Sequence, residues 1–207
     1  MSRAFEDLFG IPGAFDGIPM AGRTDKGILE EGASRAGVDL SGSTYQRFRD
    51  QYFARLREAL PEPGARKGIL PGVENLLGAI AARAEVFPAL LTGNSEEGAR
   101  IKLQHFDLWK FFRCGAYGDT VVDRNDLFGV AIERALACGA PAVDPRNVVI
   151  VGDTILDVAC AKAAGARSVA VATGPSDVAT LRAAGADVAV EDLTDIDGFL
   201  KLLAVQI

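Results

Sequence analysis

Histidine is nearly missing from this chain: His105 is the single one among 207 residues. That leaves too few imidazoles for a histidine-rich zinc site or a Ser-His-Asp triad. Cysteine is scarce as well. Cys114, Cys138 and Cys160 are odd in number and show no Cys-x-x-Cys spacing, which reads as reduced, mostly buried thiols in a cytoplasmic protein. No apolar run approaches the roughly 18 residues of a membrane span, and Glu6-Asp7 falls where a signal peptide needs an apolar core. Positive charge is in deficit, 22 Lys and Arg against 28 Asp and Glu, for a formal charge of −6. With no basic cluster to offset it, neither nucleic acid nor a membrane surface is an expected partner. Chemistry here falls to carboxylates, hydroxyls, backbone amides and a few basic side chains.

What is present is the balance of a folded protein: 49% hydrophobic and 24% charged residues, enough chain for one domain plus a modest insertion. Residues 1–67 read as helical. Met1, Ala4, Phe5, Leu8 and Phe9 repeat at helical spacing, as do Tyr45, Phe48, Tyr52, Leu56 and Leu60. A Gly/Pro-rich stretch, Gly10 to Gly22, separates them, and Pro61-Glu62-Pro63-Gly64 ends the second helix. Residues 68–207 alternate. Short apolar runs at 86–91, 114–117, 148–151, 168–172 and 187–190 read as strands. Pro88 cannot donate to a sheet ladder, so the first is expected to begin only at Ala89. Helical patterns follow at 95–106, 127–136, 155–164, from a Ser176 cap to Gly185, and at 196–204. This predicts an α/β fold: a Rossmann-like parallel sheet with helices on both faces, plus a helical cap.

Ligands of such sheets bind beyond the C-terminal strand ends. After Leu91 comes Thr92-Gly93-Asn94-Ser95, whose hydroxyl, close-approach glycine and helix N–H groups suit an anion; the plainer reading is a cap by Asn94 or Ser95, with Glu96 and Glu97 in the first turn. After Val151 comes Gly152-Asp153-Thr154, then Asp157. Two acids four residues apart at a strand end suit a hard divalent cation, although capping would also use them. Arg124 precedes a helix and could hold a phosphate, or be a solvated loop residue. No GxGxxG follows a strand, which argues against dinucleotide binding. His105 and the aromatics Phe106, Trp109, Phe111 and Phe112 read as surface or packing residues.

In order, apolar strand then Thr-Gly-Asn, a basic residue before a helix, then apolar strand then Gly-Asp-Thr-x-x-x-Asp resembles the haloacid dehalogenase-like hydrolase superfamily, over nearly the whole chain and closest to its phosphoglycolate phosphatase-like branch. The resemblance implies that Thr92 binds a phosphoryl oxygen beside the Gly93 amide, with Asn94 lining the site. It makes Arg124 the residue that balances phosphate charge, where many relatives have lysine. Asp153 becomes a magnesium ligand, and Asp157 a ligand or an acid behind one. Residues 1–67 become the cap domain and 68–207 the core, with Gly22-Arg23-Thr24-Asp25 overlooking the substrate. Arg23 there reads a substrate carboxylate or is an exposed charge.

The family's first motif, Asp-x-Asp after the first strand, supplies the nucleophile and the general acid/base, and it is missing. Asp195-Ile196-Asp197 matches its letters but follows no apolar strand, and a helix cap by Thr194 or Asp195 explains it more simply. The expectation is a magnesium-dependent phosphatase of a small phosphorylated metabolite that works through a phosphoaspartate, truncated at its N-terminus and inactive as written, with the first central strand of its sheet absent. A non-catalytic phosphate- or metabolite-binding protein, a metal-independent dehalogenase and a phosphoglucomutase-like relative stay open, as does an oligomer.

Overall fold

A computed structural model describes residues 1–62 and 68–204. The Pro63-Gly64 pair and the expected boundary at residue 67 lie outside the described residues.

The first part is helical throughout: α1 (Ser2–Phe9), α2 (Asp25–Ala36) and α3 (Gly42–Ala59). Its apolar stripes converge on one cluster containing Phe5, Phe15, Ile28, Leu29 and Phe48. The Phe5 ring meets Phe15 edge-on at 5.2 Å and Phe48 at 6.0 Å between centroids, a preferred aromatic geometry. α2 has no counterpart in the sequence reading. Thr24 caps it, accepting from the Gly27 N–H at 3.1 Å, and Gly37 ends it in the left-handed conformation.

The second part alternates: α4 (Val73–Ala81), β1 (Leu90–Thr92), α5 (Glu96–His105), β2 (Gly115–Tyr117), α6 (Leu127–Ala137), β3 (Val149–Gly152), α7 (Ile155–Ala164), β4 (Arg167–Val171), α8 (Val178–Ala183), β5 (Val188–Val190) and α9 (Ile196–Ala204). The sequence reading passed over α4 as well. β1 begins at Leu90, past Pro88 with its missing ladder donor and one residue later than the expected Ala89. Two caps differ from expectation. Asp177, not Ser176, caps α8 by accepting from the Thr180 N–H at 2.7 Å. Ser95 stands at the N-cap of α5, but its side chain makes no capping bond. Asp195 accepts from the Gly198 N–H at 2.9 Å and caps α9, while Phe199 packs into the core at 6% exposure.

All strand pairs are parallel, in an α/β arrangement of the Rossmann type. The sheet comes in two pieces, β1 beside β2 and β3-β4-β5 with β4 central. β1 and β3 each keep one edge without a strand partner among the described residues. Val151 on β3 is 43% exposed, although its neighbour Ile150 packs with Cys160, Ala161 and Leu91. No helix among the described residues is long and apolar enough to cross a membrane.

Candidate functional site

The ends of β1 and β3 open on one cavity of about 420 Å³. Thr92, Gly93, Asn94, Arg124, Asp153, Asp157 and Arg23 all line it, so every residue singled out in the sequence meets the others here. Met1, Met20, Gly22, Asp25, Ile28, Tyr52 and Lys102 complete the wall.

On the β1 side, Thr92 ends the strand. Its hydroxyl oxygen accepts from the Asn94 backbone N–H at 3.2 Å and from Asn94 Nδ2 at 2.9 Å. Asn94 Oδ1 in turn accepts from Lys102 Nζ. The N-terminus of α5 is satisfied from elsewhere in the chain. Asp25 Oδ2 accepts from the Ser95 N–H at 2.8 Å, and Asp119 Oδ2 from the Glu96 N–H at 3.3 Å. The backbone of the helical part docks on this turn and on the one after β2, Asp25 N–H to Gly93 C=O at 2.6 Å and Lys26 N–H to Gly118 C=O at 2.9 Å. Only glycine fits at 93, since a Cβ there would stand 2.1 Å from the Arg23 carbonyl oxygen.

On the β3 side the turn caps itself. Thr154 accepts from the Asp157 N–H at 3.3 Å. Asp157 Oδ2 accepts from the Thr154 N–H at 3.0 Å and from its hydroxyl at 2.7 Å, a reciprocal capping box. Asp157 Oδ1 takes a bond from Arg124 Nη2, and both side chains are largely withdrawn from water, at 5% and 13% exposure. Arg124 Nη1 also donates to the Gly22 carbonyl at 3.2 Å, and its buried Nε has no partner among the described residues. Asp153 stands beside this pair. Burial, and then the charge of Asp157, raise its carboxyl above the usual range.

Arg23 is held by Glu31 at 2.7 Å and by the Pro19 carbonyl at 3.4 Å. Its bond holds the Glu31 carboxyl below the usual range. Lys102 is the charged wall residue that the sequence reading passed over. Lys102 lies seven residues, two helical turns, beyond Ser95, so α5 presents it on the same face as its own N-terminus. Burial lowers the pKa of its ammonium and the charge of Asp25 opposes that shift. Asp25 enters the sequence reading only as the end of the Gly22-Arg23-Thr24-Asp25 turn, with no role of its own.

Magnesium uses one or two carboxylates, keeps several waters and takes the remaining oxygens from a bound phosphate. Among the described residues no group of three or more acidic, histidine or cysteine side chains converges. Asp153, half-buried and under the field of Asp157, fits that sparse donor set. Asp157 has both oxygens committed to Arg124 and Thr154.

The sequence family described as HAD-hydrolase-like matches residues 126–196. The chain is 28% identical over 165 residues to a phosphoglycolate phosphatase of Chromobacterium violaceum, covering 79% of this chain and 69% of that protein. Among solved structures it resembles a hydrolase from Pseudomonas syringae, with a TM-score of 0.64 at 21% identity over 98% of this chain and 90% of that one. It also resembles CbbY from Rhodobacter sphaeroides in complex with phosphate, with a TM-score of 0.62 at 19% identity over 94% and 88%. At these identities the structural likeness is one of fold.

Proposed function

We propose, for a chain that belongs to the haloacid dehalogenase-like hydrolase superfamily and to its phosphoglycolate phosphatase-like branch, that the cavity is the phosphate half of a magnesium-dependent phosphatase for small phosphate monoesters. The observation that carries this is the meeting of Thr92, Gly93, Arg124 and Asp153 in one cavity. Thr92 donates its hydroxyl to a phosphoryl oxygen with the Gly93 amide beside it. Arg124, already fixed by Asp157 and the Gly22 carbonyl, places a positive charge where negative charge grows on phosphorus. Asp153 would hold magnesium, which would neutralise and orient the bound phosphate, while Asp157 anchors the neighbouring groups.

The carboxylate that attacks phosphorus, and the acid that protonates the leaving oxygen, are proposed to come from outside these 207 residues. Two things support this. Asp157 and Asp25 are committed to other bonds in the site, and β1 and β3, which both end at the cavity, each keep one edge without a strand partner among the described residues. A strand between them would bring a side chain to the cavity. In this reading residues 1–67 are the cap domain and 68–207 the core, in a cytoplasmic protein. Arg23 faces the cavity from the cap, where it would read a second anionic group on the substrate; the likeness to a phosphoglycolate phosphatase favours a carboxylate.

The test is phosphate release from a panel of small phosphate monoesters, with and without magnesium, by the chain extended upstream by its own gene. Magnesium-dependent release by the extended form and none by residues 1–207 is expected. Absence of release from every ester by the extended form would overturn the proposal. Turnover of 2-haloacids that persists in a chelator would favour a metal-independent dehalogenase instead.

A further inference from the structure

We propose that Lys102 is a positioning residue that acts through Asn94 to keep the hydroxyl hydrogen of Thr92 turned into the cavity. The proposal rests on the reading of Thr92 as a phosphate-binding hydroxyl and adds a residue to it.

The argument is one of donor and acceptor arithmetic. A lysine ammonium carries three donors and no acceptor. The Asn94 atom that faces it must therefore be Oδ1, as found. The amide is planar, so fixing Oδ1 on Lys102 directs Nδ2 the other way, onto Thr92 Oγ1 at 2.9 Å. The Asn94 backbone N–H reaches the same oxygen at 3.2 Å. A hydroxyl has two lone pairs and one hydrogen. With both lone pairs occupied, the hydroxyl of Thr92 can only donate, and among the described residues no acceptor takes its hydrogen. An ionised phosphoryl oxygen accepts and never donates, so the state that Lys102 enforces is the one such an oxygen needs.

Without the ammonium the amide has a second arrangement. Rotated by half a turn, Asn94 would offer Oδ1 to Thr92, which would then donate inward to its neighbour and present lone pairs to the cavity. Those would repel a phosphate. The placement of Lys102 suits this role better than that of a simple charge. It lies on the cavity wall, its ammonium makes no ion pair with a carboxylate among the described residues, and its bond goes to a neutral amide.

A double-mutant cycle on the 207-residue chain separates the two roles, read as the affinity for inorganic phosphate in magnesium by titration calorimetry. Thr92→Val is expected to weaken binding about tenfold, and Lys102→Met about fivefold, the scale of one charge-assisted contact and of its partial misdirection. In the Thr92→Val background Lys102→Met should change nothing, because its effect travels through a hydroxyl already removed. Lys102→Arg, which keeps the donors, should stay within about twofold of the parent. Should Lys102→Met fail to fold, Asn94→Ala breaks the same relay and replaces it in the cycle. If the fivefold loss persists in the Thr92→Val background, Lys102 acts by its own charge and the proposal fails. If Thr92→Val weakens binding and Lys102→Met does not, the proposal also fails, and the phosphate site stands. If the parent binds no phosphate, or Thr92→Val binds as well as the parent, the reading of the site falls and the relay with it.

Discussion

Thr92-Gly93-Asn94-Ser95 and Gly152-Asp153-Thr154-Ile155 are both short turns that end a parallel strand and begin a helix, and each must satisfy the free N–H groups of that helix. They share threonine, glycine and an Asx residue, yet the threonines end in opposite states. Thr154 is 5% exposed, closed into a box with Asp157 and committed to α7. Thr92 stands three residues before the Ser95 N-cap, and Asp25 and Asp119 reach the first N–H groups of α5 from other parts of the chain. A hydroxyl becomes available to a ligand only when something else caps the helix. The cap on the β3 side is thus a local structure, closed within four residues before Arg124 is added to it, and the cap on the β1 side is a tertiary one that depends on the docking of the helical part.

The largest test of this contrast is Asp157→Ala. It opens the capping box and leaves the Arg124 guanidinium, 13% exposed, without its carboxylate. Removing one partner of a buried pair costs about 3–5 kcal/mol, a large share of a typical domain stability of about 5–15 kcal/mol. Urea unfolding of the two proteins measures it. A loss below about 1 kcal/mol, the scale of an exposed pair, would show that the β3 turn does not depend on its own closure.

A second test attacks the tertiary side. Asp25→Ala removes the carboxylate that accepts from the Ser95 N–H, at an expected cost of about 1–2 kcal/mol for a lost helix cap. Because Asp25 belongs to the docked turn, phosphate affinity should fall with stability, while stabilisation by magnesium, which depends on the β3 side, should persist. Thermal melts with each ligand added singly read the difference. Equal loss of both responses would mean that the two turns are not separable.

The same division explains what the sequence disclosed. α7 is found at the residues its pattern predicts, because its start, its periodic apolar face and its Gly165 stop are all local. Thr92, Arg124, Asp153 and Asp157 were legible for a similar reason, since each stands at the end of a strand or just before a helix. α2 was not, because Gly27 and Gly32 dilute its helical signal. Gly32 is there for a distant partner, as a Cβ would stand 2.4 Å from Cε1 of Phe15. α4 was legible, since Val73, Leu76, Leu77 and Ile80 repeat at helical spacing, and the sequence reading passed over this stripe, which buries Leu76 and Ile80 against Val169 and Phe199. Lys102 enters the site from a position two turns along α5, and Asp25 bonds the Ser95 N–H only when the helical part docks; neither is visible in the order of residues around the strand ends.

The smallest effect concerns charge rather than packing, and it separates the two sides by pH. Asp153 has its carboxyl raised by burial and by Asp157. A group whose native pKa exceeds its unfolded value of 3.8 contributes stability that is present below that value and lost as pH rises through the native one. At neutral pH the ionised Asp153 therefore destabilises the metal-free chain. Asp153→Asn should raise its stability there by less than about 1 kcal/mol, allowing for water at a half-exposed site. The gain should shrink as pH falls toward the unfolded carboxyl value, where the parent becomes neutral too. In magnesium the order should reverse, because the ion stabilises the parent in proportion to its binding and finds no carboxylate at 153 in the variant. Thr92→Val, on the other wall of the same cavity, should show neither the pH-dependent gain nor the reversal. Melting curves of the three proteins at pH 4 and pH 7, with and without the metal, carry the comparison. An Asp153→Asn protein still stabilised by magnesium as strongly as the parent would move the cation site away from β3.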